Sequence, residues 1–456
     1  MNFKNVVKNN YLKIFLLSIY LLLFFKVFFL HKHYPINDEI ITFDRYLTWH
    51  SFLNKSNANN HLLLSLTGTI IKTIFPFNFL FLRFINFLFL LGIFFVFLKI
   101  YKKVYTSLFF ILIIISSDII LNYSYLFRGY YLSSFISVLI FYYLHNNLLL
   151  NKENNLQKVF FLSSLLFVHS LYTLYIVLPI LFSIGFFFLK NKRFKFFLTN
   201  FIKYFFIPII FISYLNILVS GFAIEFSQNL NIDYFFQNAL IVLKKSFLPG
   251  FKSLFTEVFL EYEVKNQYVS TIAEPIFNLF SDQPTLFFIY LISFIVCLGK
   301  LFLKKIEVLD LIIFLFFIFY LIAKKSPPER TYIGFVYFFI FYILKNIEFC
   351  INNNSNFVKY ENITNCILFT ALIYLLLTLK INTSYTWQLK KDVEKINTNW
   401  INCEIANKHL DQYQVWILIN IYQKKCFYYY DTKNKINILS DYKKNAFYKH
   451  RHIFSW

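Results

Sequence analysis

Apolar runs of membrane-spanning length are the feature that most restricts how this chain can fold. The first of them extends almost without interruption from Ile14 to Leu30. An α-helix rises about 1.5 Å per residue, so about 20 apolar residues are enough to cross a bilayer. With 58% hydrophobic and only 15% charged residues, the chain has more apolar surface than a soluble domain can bury. The sequence therefore predicts an all-α polytopic membrane protein.

Eleven runs qualify as transmembrane helices. They lie near residues 12–30, 79–98, 104–121, 130–146, 158–169, 171–189, 197–219, 285–303, 306–323, 331–349 and 363–380. The two near 158–189 are separated only at His169. The run at 62–76 is shorter and ends in Phe75-Pro76, which predicts a helix lying at the membrane interface. The first run is too long for the apolar part of a signal peptide, and we expect it to be retained as a span.

Basic residues predict the orientation of these spans. Alternate loops carry Lys and Arg, which are enriched on the cytoplasmic side. Six regions are therefore predicted to be inside: the N-terminus and the loops that contain Lys99, Lys152, Lys190, Lys300 and Lys345. The formal net charge of +22 is explained by this pattern, so we expect no nucleic-acid partner.

The unusual polar segments then all fall on the outer face. Four regions are predicted: an N-terminal transmembrane module (1–219) with an outer loop at 31–61, a large acidic outer loop (220–284), C-terminal transmembrane helices (285–380), and a tail (381–456). The tail predicts a helix near 388–397, and its alternating VWILINIYQ stretch with Cys426–Asp431 suggests a hairpin. We expect this tail to form a small α/β domain, in which a pairing of Cys403 with Cys426 stays open.

Asp38 and Glu39 come directly after the first span and are the candidate catalytic residues. Two carboxylates at the mouth of a cavity between spans could supply a general base for an acceptor hydroxyl. Charged residues near the end of a span are also commonly just solvated. Asp44 in the same loop has no further support as a site residue.

Asn60 and His61 directly precede the predicted interfacial helix. These two residues could form the polar N-terminal cap of that helix, or they could form one polar wall of a functional site. His31, His33 and His50 share the loop with His61, but their spacing does not mark a zinc site, so no metal ligands are assigned.

Arg128 and Arg330 are basic residues at predicted outer ends of spans. The guanidinium of Arg128 could snorkel to the interface or bind a phosphate bidentately, with aromatic neighbours lining a lipid or sugar site. Arg330 follows Lys324 and Lys325 in an outside turn, where basic residues run against the usual trend and suit an anionic ligand. Glu329 could instead pair with Arg330.

Three further polar residues interrupt apolar runs. His169 lies where a run turns at the outer face, and it could hydrogen-bond locally or belong to the site. Arg83 and Asn86 are about one helical turn apart, so we expect them to contact each other at the start of the second span.

This ordered set resembles the C-type-fold (GT-C) glycosyltransferases, which include the protein mannosyltransferases, the lipid A aminoarabinose transferases and their uncharacterised bacterial relatives. The residues that carry the resemblance are Asp38-Glu39, Asn59-Asn60-His61-Leu62, Leu82-Arg83 with Asn86, Arg128-Gly129-Tyr130, Arg330 and, more loosely, His169. Relatives have Pro where this chain has Leu62, and an acidic residue where it has Leu126.

The resemblance implies a bacterial inner-membrane enzyme whose active site faces outward. It would move a hexosyl or pentosyl group from a polyprenyl-phosphate donor to a hydroxyl of a lipid, glycan or protein acceptor, with a divalent cation left open. Asp38 and Glu39 would be catalytic. The substrate-binding residues would be Asn60, His61, Arg128, Tyr130, His169, Lys324 and Arg330.

Two other functions use the same features. A glycan polymerase or ligase would also take lipid-linked substrates. A lipid or polysaccharide transporter or flippase is the non-enzyme alternative, and it would show charged or Gly/Pro-broken segments at mid-membrane. Here the candidate residues lie at predicted span ends, and the chain has only 8 Gly and 9 Pro.

Overall fold

A computed structural model describes most of the predicted helices and parts of the first loop. The described residues are 61–74, 79–124, 126–145, 153–170, 173–212, 280, 283–303, 306–322, 329–353, 361–378, 426–431 and 436–441, with scattered positions between 15 and 47. The large loop 220–284 lies almost entirely outside them, as does most of the tail.

Twelve α-helices have described bounds, and all of them lie from Leu62 onward. They are α1 (Leu62–Ile74), α2 (Phe79–Ile100), α3 (Val104–Ile115), α4 (Asp118–Tyr123), α5 (Tyr130–His145), α6 (Glu153–His169), α7 (Leu174–Lys190), α8 (Phe194–Phe201), α9 (Pro284–Phe302), α10 (Val308–Ile322), α11 (Ile333–Asn353) and α12 (Glu361–Thr378). A π-helical turn, Ile202–Phe206, continues α8, and a 3-10 turn, Glu329–Tyr332, precedes α11.

Four helical segments are long and apolar enough to cross a membrane: Phe81–Ile100, Phe194–Ile212, Pro284–Phe302 and Ile333–Ile351. Six more described helices are apolar but shorter. The described positions of the first predicted span, between 15 and 26, are helical as well. Length and composition therefore fit the membrane protein that the sequence predicts.

Most observed helices agree with the predicted spans to within about four residues, and two differ in a way that has a clear cause. The run at 104–121 is divided after Ile115, because the Ser117 hydroxyl accepts a hydrogen bond from the Ile120 amide (3.4 Å) and caps a new helix, α4. Helix α6 starts five residues before its predicted span, because the polar Glu153 to Gln157 stretch is helical too. The predicted break after His169 is confirmed.

Helices α5 and α11 form the centre of the bundle. α5 packs against α2, α6 and α11, and α11 packs against α5 and α9. The first half of α11 is buried on every side, from Ile333 to Tyr342. Small hydroxyl residues on α5 allow the close approach, since Ser133, Ser134 and Ser137 are all buried.

The bundle has two chemically different ends. The starts of α1, α2 and α5 meet the end of α6 at one end, where His61 contacts both Tyr130 and His169. We call this the His end. At the opposite end Lys99 of α2 lies over Tyr142 of α5, and Lys158 of α6 lies over Tyr143. We call this the Lys end.

A buried carboxylate joins three helices at the Lys end. Asp310 accepts hydrogen bonds from the Tyr342 hydroxyl (2.6 Å) and from the amide of Glu307 (2.7 Å), and it pairs with Lys300 at 3.1 Å. The bond to Glu307 caps the start of α10. Lys345 forms a second ion pair with Glu307. These contacts join the end of α9, the start of α10 and the middle of α11.

An antiparallel β-hairpin is described within the tail. Strand β1 (Cys426–Asp431) pairs with β2 (Ile436–Asp441). The predicted strand at Cys426–Asp431 is thus present, but its described partner follows it in the chain. The predicted strand at Val415–Gln423, the helix near 388–397 and Cys403 lie outside the described residues.

Candidate functional site

A fully buried ion pair forms the base of the His end. Arg83 on α2 donates from Nε to Oε1 of Glu39 (2.9 Å) and from Nη2 to Oε2 (2.5 Å). Both side chains are 0% exposed. The bidentate geometry suits a carboxylate, and each charge offsets part of the cost of removing the other from water. Glu39 is therefore held in place and is not simply solvated.

The same carboxylate also anchors the segment before α5. The backbone amide of Phe127 donates to Oε1 of Glu39 at 2.6 Å. The side-chain amide of Asn86 donates to the carbonyl oxygen of Leu126. Two polar residues of α2 therefore fix the first loop and the residues that lead into α5.

The sequence predicted a contact between Arg83 and Asn86, and the structure shows in addition that both side chains form hydrogen bonds with other parts of the chain. Each side chain reaches a different distant segment, because α2 starts beside Glu39 and beside the 126–128 backbone. Spacing along one helix could not reveal that, since the partners lie 44 and 40 residues away in sequence.

Arg128 points into the bundle. Its side chain is only 2% exposed, so it does not snorkel to the interface. Nη1 donates to the Thr42 hydroxyl at 3.0 Å, and the guanidinium lies 5.8 Å from the ring centroid of Tyr130. Glu39 and Thr42 are three residues apart, so both contacts attach the same turn of the first loop to the residues 127–128.

Two histidines meet over Gly129. Nε2 of His169 lies 3.0 Å from the carbonyl oxygen of Gly129, which requires a proton on Nε2 and leaves Nδ1 as the acceptor. The His61 ring lies 5.3 Å from that of His169 and edge-on to Tyr130 at 5.1 Å. A Cβ on Gly129 would come within 2.4 Å of His61 Cγ and 2.5 Å of His169 Nε2. Only glycine therefore fits between the two imidazoles.

His61 also starts α1. Its carbonyl oxygen accepts the hydrogen bond of the Ser65 amide (2.8 Å), so it takes the N-cap position, as one of the two interpretations of this stretch predicts. The His61 backbone thus caps the helix, while its ring contacts Tyr130 and His169. The two interpretations are compatible in this residue.

The structure brings five of the nine predicted site residues together. Glu39, His61, Arg128, Tyr130 and His169 all lie at the His end and are all buried. Asp38, Asn60 and Lys324 lie outside the described residues. Arg330 falls in the turn Glu329–Tyr332, and its side chain is outside the described part.

Sequence reasoning did not assign Arg83, Asn86 and Thr42 to the site. The signal for two of them was available, because a charged residue and an amide inside an apolar run usually face the protein interior. Thr42 carries no such signal.

The chemistry of this site is that of a buried, positively charged, hydrogen-bonding wall. Arg128 supplies a cationic side chain, and the two imidazoles supply a donor or an acceptor each. Within the described residues no three His, Cys, Asp or Glu side chains are arranged to hold a metal ion.

Comparisons with protein-family models, with curated proteins and with solved structures find no match to this chain.

Proposed function

We propose that the protein is a membrane glycosyltransferase, which moves a hexosyl or pentosyl group from a polyprenyl-phosphate donor to an acceptor hydroxyl. The observation that carries the proposal is the convergence of Glu39, Arg83, Arg128, His61 and His169 at one end of an apolar bundle. Buried charged residues are costly in a membrane protein and usually mark its functional site. Their order along the chain resembles that of the GT-C enzymes.

Asp38 is the general base in this mechanism. It precedes Glu39 directly, so the ion pair with Arg83 anchors the chain one residue after the base. The carboxylate of Glu39 accepts three hydrogen bonds and is poorly placed to take a proton itself. We therefore assign the two acidic residues different roles: Asp38 accepts the proton, and Glu39 is a positioning residue.

The reaction is a direct displacement at the anomeric carbon. The acceptor oxygen attacks that carbon as its proton passes to Asp38, while the bond to the phosphate oxygen breaks and polyprenyl phosphate leaves. A single displacement inverts the anomeric centre, by the same geometry as in inverting glycosidases. The leaving phosphate needs charge stabilisation more than a proton.

Arg128 is the residue we assign to the donor phosphate, with Arg330 and Lys324 as further cationic contacts. Arg128 directly follows Phe127, whose amide donates to Glu39, and its own side chain donates to Thr42, which supports a phosphate contact close to the first loop. His61, Asn60, Tyr130 and His169 would then contact the sugar or the acceptor. The Nδ1 lone pair of His169 can accept a hydrogen bond from a hydroxyl.

The topology follows from the same proposal. Eleven spans with the N-terminus inside put the His end on the outer face of a bacterial inner membrane, together with the loop 220–284 and an α/β domain at 381–456. Polyprenyl-linked sugars are then reached from the outer leaflet.

Transfer and transport differ in the fate of the donor. Purified protein in liposomes would be given a panel of radiolabelled polyprenyl-phosphate hexoses and pentoses, with an extract of cell-envelope lipids and glycans as acceptors. The proposal expects the label to leave the polyprenyl carrier and polyprenyl phosphate to accumulate. If the labelled donor crosses the bilayer intact and is never cleaved, the protein is a transporter and the proposal is wrong.

A further inference from the structure

The Lys end carries a pair of lysines held on aromatic rings. The Lys99 ammonium lies 4.8 Å from the ring centroid of Tyr142, and the Lys158 ammonium lies 5.0 Å from that of Tyr143. The two tyrosine rings contact each other edge-on at 5.2 Å. Two ammonium groups from α2 and α6 are thus joined through two neighbouring residues of α5. We call these four residues the Lys–Tyr patch.

The charges of this patch are not neutralised by the protein. Both lysines are exposed, and in the described part of the chain no carboxylate lies within ion-pair distance of either. Other lysines at the same end behave differently, since Lys300 pairs with Asp310 and Lys345 pairs with Glu307. The Lys end therefore has one set of lysines that serves the fold and another whose charge faces outward.

The tyrosines fix the positions of the two ammonium groups on the surface of the bundle. Both rings are half-buried between helices, and each keeps one face under an ammonium group. Cation–π contact holds each lysine over its ring. Tyrosine is also enriched where hydrocarbon meets headgroups. An ammonium pair fixed at that level is suited to a phosphate that is itself attached to a lipid.

We propose that the Lys–Tyr patch binds the headgroup of an anionic phospholipid. Basic pockets between transmembrane helices are a general means of recognising anionic lipid headgroups. The lipid phosphate would lie between Lys99 and Lys158, with its acyl chains along the apolar surfaces of α2 and α6. The exposed Phe95 and Phe161 provide such surfaces, each one helical turn from a patch lysine. This site is independent of the glycosyltransferase assignment, because it lies at the opposite end of the bundle.

Native mass spectrometry of the detergent-solubilised full chain tests the proposal. The probes are phosphatidylglycerol, with one anionic phosphodiester, and phosphatidylcholine, a zwitterion with the same chain length. We expect phosphatidylglycerol to bind more tightly, and its affinity to fall about fivefold for each of Lys99→Gln and Lys158→Gln. Inorganic phosphate should not displace it, because the acyl chains contribute to binding.

Lys102→Gln is the matched control. Lys102 is exposed at the same end, and its ammonium group is not over either tyrosine ring. The Lys102→Gln substitution removes one charge outside the patch and should leave the affinity for phosphatidylglycerol almost unchanged. The double variant Tyr142→Leu with Tyr143→Leu keeps all the charges and should weaken binding. The proposal is overturned if Lys102→Gln weakens binding as much as Lys99→Gln does, or if phosphatidylcholine binds equally well. It is also overturned if the lysine variants keep the affinity of the wild type.

Discussion

Arg83 and Glu39 form a bidentate ion pair that is closed off from solvent, although they lie 44 residues apart in sequence. The pair attaches the first loop to the start of α2. The third hydrogen bond of Glu39, from the amide of Phe127, extends the attachment to the residues before α5. One carboxylate therefore connects three separate segments of the His end to one another.

Replacing Arg83 by Met tests how much the fold depends on this pair. It leaves Glu39 buried without its counter-charge, and we expect a loss of about 3–5 kcal/mol in stability. In the double variant Glu39→Gln with Arg83→Met, the side chain at position 39 is neutral and still accepts from Phe127, so most of the loss should be recovered. Thermal unfolding in detergent measures the stability of the single and the double variant. Unchanged unfolding of the single variant would show that the pair does not hold the loop.

Gly129→Ala tests the close approach of the two histidines. The new methyl group would overlap His61 and His169, so both rings must move, at a cost of about 1–3 kcal/mol. We expect a lower unfolding temperature and loss of glycosyl transfer. Gly299→Ala is the control, because a Cβ there meets no other atom within 4 Å. Full transfer by Gly129→Ala would contradict the proposed place of the histidines in the site.

His169→Gln separates the two nitrogen atoms of this imidazole. The amide nitrogen of Gln can still donate to the carbonyl of Gly129, whereas the acceptor at Nδ1 is lost. We expect near-normal unfolding, with transfer reduced about threefold to tenfold, the effect of one lost hydrogen bond. Steady-state assays of the purified variant measure this. If transfer is unaffected, Nδ1 does not contact a substrate.

Tyr342→Phe tests whether the buried Asp310 network is purely structural. Removing the hydroxyl leaves Asp310 without one of its donors and should cost about 1.5–3 kcal/mol in stability. Transfer per folded molecule should stay the same, because the network lies at the Lys end. Tyr374→Phe, at a residue that is 66% exposed, is the control for both measurements. Lost transfer in a fully folded Tyr342→Phe protein would link the Lys end to the reaction.

The helices were predictable to within a few residues wherever an apolar run ends in a clear break. The start of α9 at Pro284 and the division after His169 follow from such breaks. The division of α3 from α4 was missed, because serines such as Ser116 and Ser117 favour helix ends but also occur inside apolar helices. Hydropathy alone does not distinguish a serine inside a helix from a serine at a helix end.

The residues of the candidate site were partly predictable from the sequence, but the hydrogen bonds and ion pairs between them were not. Glu39, His61, Arg128 and His169 were predicted because they are polar residues at the predicted outer ends of spans, and all four are buried in the structure. The pairing of Glu39 with Arg83 was missed because it depends on the contact between two segments that only the folded bundle brings together. The different roles that we propose for Asp38 and Glu39 rest on that pairing, because the Glu39 carboxylate is engaged by Arg83 and by the Phe127 amide.

The most direct test of the account is transfer by an Asp38→Asn variant beside an Asp44→Asn variant. Both remove one carboxylate from the same loop, and both would be purified and assayed with the same polyprenyl-phosphate sugar donors. We predict that Asp38→Asn folds normally and loses transfer, while Asp44→Asn transfers at the wild-type rate. Full transfer by Asp38→Asn, or equal losses in the two variants, would contradict the assignment of Asp38 as the base.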